Sequence, residues 1–403
     1  MNIHFFSQVF VALFAVGLLA CEPSTDSYAK KIHAVAVAPT AEDSLEHTAA
    51  PVDVRAIDLS ALPDLDAIIP QLAQKQVVFV GEIHDRFGHH LAQLEIIKRL
   101  HRAHSDLAIG VEYFQRSSQP HLDAYIAGEL DEKGFLKKTE YFERWSFDYR
   151  LYRPIFRYAR KHNIPLVALN IPTEISRKVA LSGLGSLTDD EKAQVTAQVD
   201  KSDLEYRELL RAVFEEHRQR NTELDNFDYF VEAQLLWDES MADNATGYLR
   251  EYPQRHLVIL AGNGHLVYGS GIPRRLLRRL PVTSATVINA SGQPAEPDMA
   301  DFLVFPPKVT LPSAGLLGIY MQKKETSVVV EDLVPQGGAA KAGLTKGDQL
   351  VAIHGEAIET LGDVKIALLD KRPGDRINIT VKRDASSTSP EVLEFEVVLT
   401  AHQ

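Results

Sequence analysis

The sequence predicts an α/β protein with a largely parallel sheet, helices on both faces and a helical insertion, followed by a small β-rich domain with helices. From Gln76 onward, short apolar runs alternate with stretches of helical periodicity. Residues 173–252 have a mostly helical pattern and interrupt that alternation. After Pro306 and Pro307 the pattern changes to short strands separated by Gly-rich turns. Because 403 residues exceed what one hydrophobic core usually covers, we expect two domains.

The composition excludes several classes of protein. With 45% apolar and 24% charged residues, the chain is typical of folded globular proteins rather than disordered ones. The formal net charge of −12 argues against nucleic acid as a partner, because phosphate binding needs a basic face. The single Cys excludes an intramolecular disulfide and any Cys-based zinc or iron–sulfur site. A metal site would therefore use His, Asp, Glu or Tyr.

The N-terminus predicts a lipid anchor. Residues 9–20 form an apolar run that is short for a membrane span but suits the hydrophobic core of a signal peptide. The run ends in Leu-Leu-Ala-Cys at Cys21, which resembles the lipobox of bacterial lipoproteins. We expect residues 1–21 to be signal peptide and lipobox, Cys21 to be lipidated, and residues 22–55 to be a flexible tether. Glu22 favours the outer membrane, facing the periplasm; an ordinary secretory signal or an uncleaved anchor are the alternatives.

The predicted strands of the first domain, residues 56–305, are short and almost wholly apolar. They comprise residues 77–80, 107–111, 165–169, 256–261, 282–288 and 302–305. Helical stripes lie between them, with the clearest at Leu91, Leu94, Ile97 and Leu100 and others in residues 152–161 and 273–280. Apolar strands that alternate with helices indicate a parallel sheet covered on both faces. The insertion is long enough to form a helical subdomain over one edge of this sheet.

Polar side chains follow four of these strands where each strand ends. They are Glu82 and His84 after the first strand, Glu112 after the second, Asn170 after the third and His265 after the fourth. In an open parallel sheet, ligands bind in the crevice beyond the carboxyl ends of the strands. Carboxylates with neutral imidazoles suit a divalent transition metal, and they suit acid and base catalysis of hydrolysis equally well. Any one of them alone would more commonly cap a helix or pair with a neighbour.

These residues lie in short motifs that recur in a fixed order. The motifs are GEIHD at 81–85 with His89 and His90, VE at 111–112 with FQ at 114–115, Trp145 with YRP at 152–154, NIP at 170–172, the helix from AQ at 233–234 to MA at 241–242, and GNGH at 262–265 with GIP at 271–273. Over residues 56–305 the chain thereby resembles the ChaN family of iron-regulated haem-binding lipoproteins. The wider superfamily includes the Tiki and TraB proteins and the erythromycin esterases, which share two Gly-x-x-His motifs and a glutamate that matches Glu112.

The resemblance implies two different functions. ChaN relatives bind cofacial haems between two subunits through Tyr and His, which implies haem as cofactor, a role in iron uptake and a homodimer. The candidate haem ligands are then His84, His89, His90, Tyr113, Tyr152, Tyr268 and His265. Tiki relatives are metal-dependent proteases and the esterases use Glu and His without a metal. On that alternative, Glu82, His84, Glu112 and His265 are metal ligands or catalytic residues of a hydrolase, so whether the chain is an enzyme stays open.

Two helices carry further candidates. The cluster of Arg274, Arg275, Arg278 and Arg279 could meet haem propionates, although a solvated helix face explains it equally well. Phe230, Gln234, Trp237 and Met241 recur on one face of a helix, which favours core packing. A buried Gln234 on that face would need a hydrogen-bond partner, or it would face the crevice instead.

The second domain, residues 314–400, resembles a PDZ domain. GLLGI at 315–319 resembles the carboxylate-binding loop, and PQGGAAKAGL at 335–344, KGD at 346–348 and IHG at 353–355 continue the bacterial pattern. A peptide C-terminus would add a strand beside residues 319–321, with its carboxylate on the backbone N–H groups of Leu317, Gly318 and Ile319. The alternative is a module that only packs against its neighbour.

Residues 306–313 form the linker between the two domains. Three of them are Pro, so the linker is short and stiff and the domains should keep a restricted arrangement. We therefore predict that the PDZ groove recruits a protein partner to the mouth of the α/β crevice.

Overall fold

The structure is a computed structural model that describes residues 57–220, 223–291, 295–325, 327–384 and 390–401. The predicted signal peptide, the predicted lipidation site Cys21 and the whole predicted tether lie outside the described residues.

The first domain is built on one parallel sheet of six strands. The strands are β1 (Val77–Glu82), β2 (Leu107–Gln115), β3 (Leu166–Asn170), β4 (His256–Gly262), β5 (Ser284–Asn289) and β6 (Phe302–Val304). Their spatial order is β3-β2-β4-β1-β5-β6, with every neighbouring pair parallel. The register places Glu82 beside Gly262, so the polar residues after β1 and β4 meet at the same edge. The predicted α/β architecture is confirmed.

Helices occupy both faces of this sheet. They are α1 (Ile69–Leu72), α2 (Phe87–Ala103), α3 (Gln119–Ile126), α4 (Glu132–Lys138), α5 (Tyr141–Arg144), α6 (Tyr149–Lys161), α7 (Thr173–Ser182), α8 (Asp189–Lys192), α9 (Leu204–Arg220), α10 (Phe227–Glu251) and α11 (Ile272–Arg279). Successive side chains of a strand point to opposite faces. Val78 and Val80 accordingly pack with α2 and α6, whereas Val77 and Phe79 pack with the helices of the insertion.

The helical insertion lies over a face of the sheet, not over an edge as we expected. Leu235 and Leu236 of α10 belong to the same buried apolar cluster as Phe79, Leu257 and Ile259. The reason is that α10 is apolar over most of its circumference, so it covers the sheet as a central helix instead of forming a separate subdomain.

Strand β2 is longer than its apolar run predicts and continues to Gln115. Glu112 is therefore a fully buried strand residue and not a residue that follows the strand. The polar end of the strand is tolerated because Glu112 accepts a hydrogen bond from the Gly262 N–H, and the Asn170 amide donates to the Glu112 carbonyl.

The second domain has an antiparallel sheet and two short helices. The strands are β7 (Ile319–Lys324), β8 (Ser327–Leu333), β9 (Gln349–Ile353), β10 (Glu356–Ala357), β11 (Arg376–Arg383) and β12 (Glu391–Val398), and the helices are α12 (Gly338–Ala342) and α13 (Leu361–Ala367). The order is β12-β11-β9-β8-β7, with β10 paired to β9. Among the described residues β7 is thus an edge strand, as peptide addition requires.

Helix α13 packs against the first domain. The Glu143 carboxylate of α5 accepts a hydrogen bond from the Gly362 N–H at 2.9 Å, and Arg153 of α6 pairs with Asp370 at 2.6 Å. Ile366 and Leu369 belong to the apolar cluster of the first domain rather than to that of their own sheet. These contacts hold the two modules in one arrangement.

The linker lies along the first domain. Pro307 lies against Gly88 near the start of α2, and Arg150 donates to the Pro312 carbonyl at 2.9 Å. In the described part of the chain, no helix is both long and apolar enough to cross a membrane.

Candidate functional site

The first half of the site is a buried Glu82–His84 pair at the end of β1. The two residues are at most 1% exposed, and Nδ1–H of His84 donates to Oε1 of Glu82. The His84 carbonyl accepts from Nε2 of His90 at 3.0 Å and from the Tyr152 hydroxyl at 3.3 Å. The backbone and the side chain of His84 are therefore both fixed.

The second half is a buried chain of groups centred on His265, in the short 3-10 turn Asn263–His265 after β4. Nδ1–H of His265 donates to Oδ1 of Asp238 at 2.6 Å, and Nε2 lies 3.5 Å from Oε1 of Glu112. The other oxygen of Asp238 accepts from the Tyr206 hydroxyl at 2.5 Å. Asp238 therefore orients the imidazole and leaves its far nitrogen facing Glu112.

The charges of these groups stabilise one another. Burial alone would raise the pKa of Glu112 and lower that of His265, but the attraction between the two charges outweighs burial, and Asp238 adds to it at His265. The pKa of Glu112 is held at about 2 and that of His265 is raised to about 10. Burial opposes the charge of His84 as well, yet Glu82 raises its pKa. A protonated imidazole in such a closed site can donate a proton and stabilise negative charge.

Aromatic rings shield His84 and His265 from solvent. The His84 ring has the rings of Trp145 and Phe147 at 5.0 and 4.8 Å between centroids, and the His265 ring has Trp237 at 5.0 Å. Such walls keep the dielectric low around the charges, which strengthens the ion pairs.

Two glycines permit this close approach of the strand ends. A Cβ at Gly81 would collide with the Asn263 side chain, and a Cβ at Gly271 would collide with the backbone of His265. Both glycines lie in the motifs from which the sequence predicted a site.

His89 and His90, two predicted haem ligands, lie behind the site. Nδ1 of His89 accepts a hydrogen bond from the Ile83 N–H at 3.1 Å, and burial, with His90 and Arg86, lowers the pKa of His89 to about 4. The His90 ring packs on Tyr152 at 4.3 Å. Both histidines support the loop that carries His84.

The three candidate tyrosines lie in different surroundings. Tyr113 and Tyr152 are buried, and burial together with the Glu82 charge raises the pKa of each well above its ordinary value. Tyr268 is 38% exposed, has a left-handed backbone with φ of 57°, and donates from its hydroxyl to Glu296 at 2.7 Å. The structure thus brings Tyr113 and Tyr152 to the buried site and leaves Tyr268 at the surface.

The arginine cluster of α11 fits neither of the two expectations. Arg275 and Arg279 are almost fully buried, and with Arg278 they surround the buried carboxylate of Glu239. Arg274 alone of the four has a largely exposed side chain, paired with Asp203 at 3.0 Å. The cluster is therefore neither a solvated face nor a set of guanidinium groups open to propionates.

Sequence reasoning missed Asp238 and Tyr206. Asp238 and Glu239 follow Trp237 on a helix whose surrounding residues are almost all buried. Two acidic residues inside so apolar a stretch need buried partners, and this signal could have pointed to His265 and the arginines. Asn170, which the sequence did predict, holds the ends of β2 and β3 through Glu112 and Ile171.

The predicted metal ligands of the carboxyl edge form ion pairs with one another. In the described part of the chain, three ligand atoms within 4.8 Å of one another occur at His104, Asp106 and His256, at the opposite edge of the sheet. Glu82, His84, Glu112 and His265 stay predicted both as metal ligands and as acid and base groups.

The predicted peptide site begins at Leu317 and Gly318, where the chain turns into β7. Gly318 has φ of 75°, and a Cβ there would approach Gly337 at 2.9 Å. The carbonyls of Leu317 and Gly318 accept from Ala339 and Val334, which directs the loop around the end of β7. The loop conformation is thus fixed by α12 and β8.

The parallel sheet with its paired Glu and His residues, joined to an antiparallel second sheet, defines a two-domain α/β protein. The family described as haem-binding uptake, Tiki superfamily, ChaN matches residues 68–276, more than half of the chain. The chain belongs to this family. The PDZ domain family matches residues 315–393.

The chain is also similar to three known proteins. Protein RETICULATA-RELATED 5 of the chloroplast of Arabidopsis thaliana is 22% identical over 269 residues, which cover 60% of this chain and 35% of that protein. Zinc metalloprotease RasP of Geobacillus kaustophilus is 33% identical over 78 residues, 19% of this chain and 18% of that protein. The chain thus spans about a third, or less, of the length of these curated relatives. The structure of ChaN of Campylobacter jejuni with cofacial haem is 18% identical, covers 60% of this chain and 91% of that one, and has a TM-score of 0.48.

Proposed function

We propose that this protein binds haem and assists haem and iron acquisition in the bacterial cell envelope, anchored to the outer membrane through a lipid on Cys21. Membership of the haem-binding family is the general support for this function. The observation that carries it at the site is the placement of Tyr268, the exposed member of the seven predicted haem ligands.

The residues present fit haem at the surface rather than in the buried cluster. An accessible Tyr would hold haem through its phenol oxygen, and the haem would supply an iron centre. Tyr113 and Tyr152 suit this role poorly, because both are buried and burial opposes ionisation of their hydroxyls. Tyr268 reaches solvent, and Arg274 is the arginine of α11 whose side chain is most exposed.

The backbone of Tyr268 supports a functional role. A left-handed conformation is uncommon for a bulky residue and persists only where neighbouring contacts impose it. Here the Tyr268 N–H donates to the Met299 carbonyl at 2.9 Å, and Gly269 follows with φ of 64°. These features hold the phenol ring outward beside the turn that carries His265.

A haemin titration tests the proposal. The full chain should develop a saturable Soret shift, and Tyr268→Phe should weaken binding by at least tenfold, because it removes the ligand oxygen and keeps the ring. Tyr252→Phe is the matched control, since Tyr252 is similarly exposed, at 41%. Weak, non-saturating uptake that is equal in all three proteins would contradict the proposal.

The anchor, the partner and the homodimer are parts of the same proposal. Cys21→Ser should release the protein from the membrane fraction, and the PDZ groove at Leu317, Gly318 and Ile319 should bind a protein C-terminus. Two copies should associate when haem is added, which light scattering after gel filtration would detect. Unchanged membrane association, or a monomer at saturating haem, would contradict the respective part.

A second candidate function is that of a hydrolase, and the buried His265–Asp238 pair favours it. An imidazole that is oriented by a carboxylate and faces a second carboxylate is an acid and base arrangement. If this function holds, ester or peptide hydrolysis should fall at least a hundredfold in His84→Gln combined with His265→Gln, with haem binding unchanged. Elemental analysis of protein purified without added metal separates a metal-dependent hydrolase from a metal-free one.

A further inference from the structure

The amino edge of the parallel sheet carries a second group of polar residues, away from the candidate site. His104 follows α2, Asp106 precedes β2, and His256 is the first residue of β4. The register sets His256 beside Leu107, so the three residues meet where β2 and β4 begin. From His256 to Gly262, β4 crosses the sheet over about 20 Å, so this cluster is separate from His84 and His265.

The two imidazoles are arranged as metal ligands usually are. Nε2 of His104 lies 2.7 Å from the Ala73 carbonyl, and Nδ1 of His256 lies 3.0 Å from the Lys75 carbonyl. Each carbonyl accepts the N–H of its ring and so leaves the lone pair on the other nitrogen, Nδ1 of His104 and Nε2 of His256. Metal-bound histidines characteristically donate their second nitrogen to such a carbonyl.

The ligand atoms of the three residues lie near one another. One ligand atom from each of His104, Asp106 and His256 lies within 4.8 Å of the others. The two rings are stacked, with centroids 3.5 Å apart and planes 19° apart. Zinc binding therefore requires the two rings to tilt out of the stack and the exposed Asp106 side chain to rotate, so that the three ligands reach Zn–N and Zn–O distances of about 2.0–2.2 Å.

We propose that His104, Asp106 and His256 form a zinc-binding site that joins the starts of β2 and β4 to the loop before β1. Two imidazoles and one carboxylate suit Zn²⁺ among divalent metals, with water as the fourth ligand. The site lies at the edge of the sheet opposite to the candidate functional site.

Titration of the EDTA-treated full chain with zinc chloride tests this site. Zinc at a hundredfold excess over Kd should raise Tm by about 5 °C, and elemental analysis after dialysis should find zinc retained. His104→Gln combined with His256→Gln keeps an amide donor toward each carbonyl, and it should lose one zinc equivalent and the rise in Tm. His101→Ala combined with His162→Ala is the control, since these rings also pair, at 5.3 Å.

The experiment must distinguish zinc bound at this site from zinc bound at the carboxyl edge of the sheet, where His84 and His265 lie. One zinc lost in the His104 and His256 variant, with zinc retained in His84→Gln combined with His265→Gln, supports the proposal. A folded His104 and His256 variant that binds as much zinc as the unchanged chain, with the same shift in Tm, would overturn it. Absence of any retained zinc in the unchanged chain would overturn it as well.

Discussion

Glu112 and His265 show how strongly single buried charges depend on each other in this protein. Both are at most 1% exposed, and each keeps its charge because the other is present. Removing one partner of a buried pair leaves an uncompensated charge, which costs about 3–5 kcal/mol. Asp238 remains beside His265 and offsets part of that cost.

Glu112→Gln should therefore lower the free energy of unfolding by about 3 kcal/mol, measured by urea denaturation. The amide can still accept from the Gly262 N–H, so the loss reports the charge rather than that hydrogen bond. The control is Asp85→Asn, an exposed carboxylate at the same edge that pairs with Arg86 at 3.4 Å, with a change of about 0.5 kcal/mol or less. Equal effects of the two substitutions would contradict the account of the buried pair.

His89 gives the protein a defined sensitivity to acid. Its pKa is about 4 in the folded chain and 6.5 in the unfolded one, so the unfolded chain binds more protons between these values. The contribution of neutral His89 to stability is complete above pH 6.5 and is lost as the pH falls toward 4. The raised pKa values of His84 and His265 change the stability of the protein only at higher pH. Below pH 6.5 both groups are protonated in the folded and in the unfolded chain.

We accordingly expect His89→Asn to reduce the loss of stability between pH 6.5 and 4. Asn can accept the hydrogen bond from the Ile83 N–H and does not titrate. Thermal unfolding across this pH range checks the prediction, and a slope that is the same in both proteins would show that His89 titrates normally in the folded state.

At the scale of elements, the turn after β4 depends on the helix that follows it. Gly271 is the N-cap of α11, and a Cβ there would meet the carbonyl and the Cα of His265, which are backbone atoms that cannot move aside. Gly271→Ala should therefore displace His265 and lower Tm by several degrees. Gly247→Ala in α10 is the control, since nothing lies within 4 Å of its Cβ and Ala favours a helix. A Tm for Gly271→Ala as high as that of the control would refute this role of Gly271.

The elements predictable from the sequence are those whose own residues carry the signal. Uninterrupted apolar runs predicted all six parallel strands, and glycines predicted the sharp turns after β1 and β4. The end of β2 was not predictable, because Glu112 is stabilised inside the strand by partners on β4 and the His265 turn. The pairing of Arg275 with Glu239 could not be predicted from the sequence either, because these residues are far apart in the chain and a run of basic residues resembles a solvated helix face.

At the scale of the whole molecule, α13 lies between the predicted peptide groove and the first domain. It borders the predicted peptide groove, and it packs against α4 and α5 through the Gly362–Glu143 hydrogen bond and the Asp363–Lys137 ion pair at 2.9 Å. Helix α5 ends immediately before Trp145, whose ring packs on His84. The two domains therefore share an interface that leads from the groove to the buried site.

Leu369→Asp should separate the domains without unfolding either one. Leu369 lies in the apolar cluster of the first domain, so a carboxylate there is incompatible with docking. Small-angle scattering should show a larger radius of gyration, and protease should cleave within residues 306–313. Val392→Asp, at a 60% exposed position of β12, should change neither. An unchanged radius for Leu369→Asp would mean that the ion pairs alone hold the domains together.

This interface also bears on removal of the PDZ domain. Deleting residues 314–403 should leave ligand binding in the first domain intact and abolish partner association. The deletion also removes Ile366 and Leu369 and so exposes apolar surface of the first domain. The point variant is therefore the cleaner test of whether the two functions are separate.

The most direct test of haem binding at the surface is the absorption spectrum and haem content of the full chain, purified in detergent from cells supplied with haem. Three proteins are compared: the unchanged chain, Tyr268→Phe, and His84→Gln combined with His265→Gln. The account predicts a Soret band in the unchanged chain and in the His variant, and a band that is lost or strongly weakened in Tyr268→Phe. A band that persists in Tyr268→Phe and disappears in a folded His variant would place haem at the buried histidines and contradict the account.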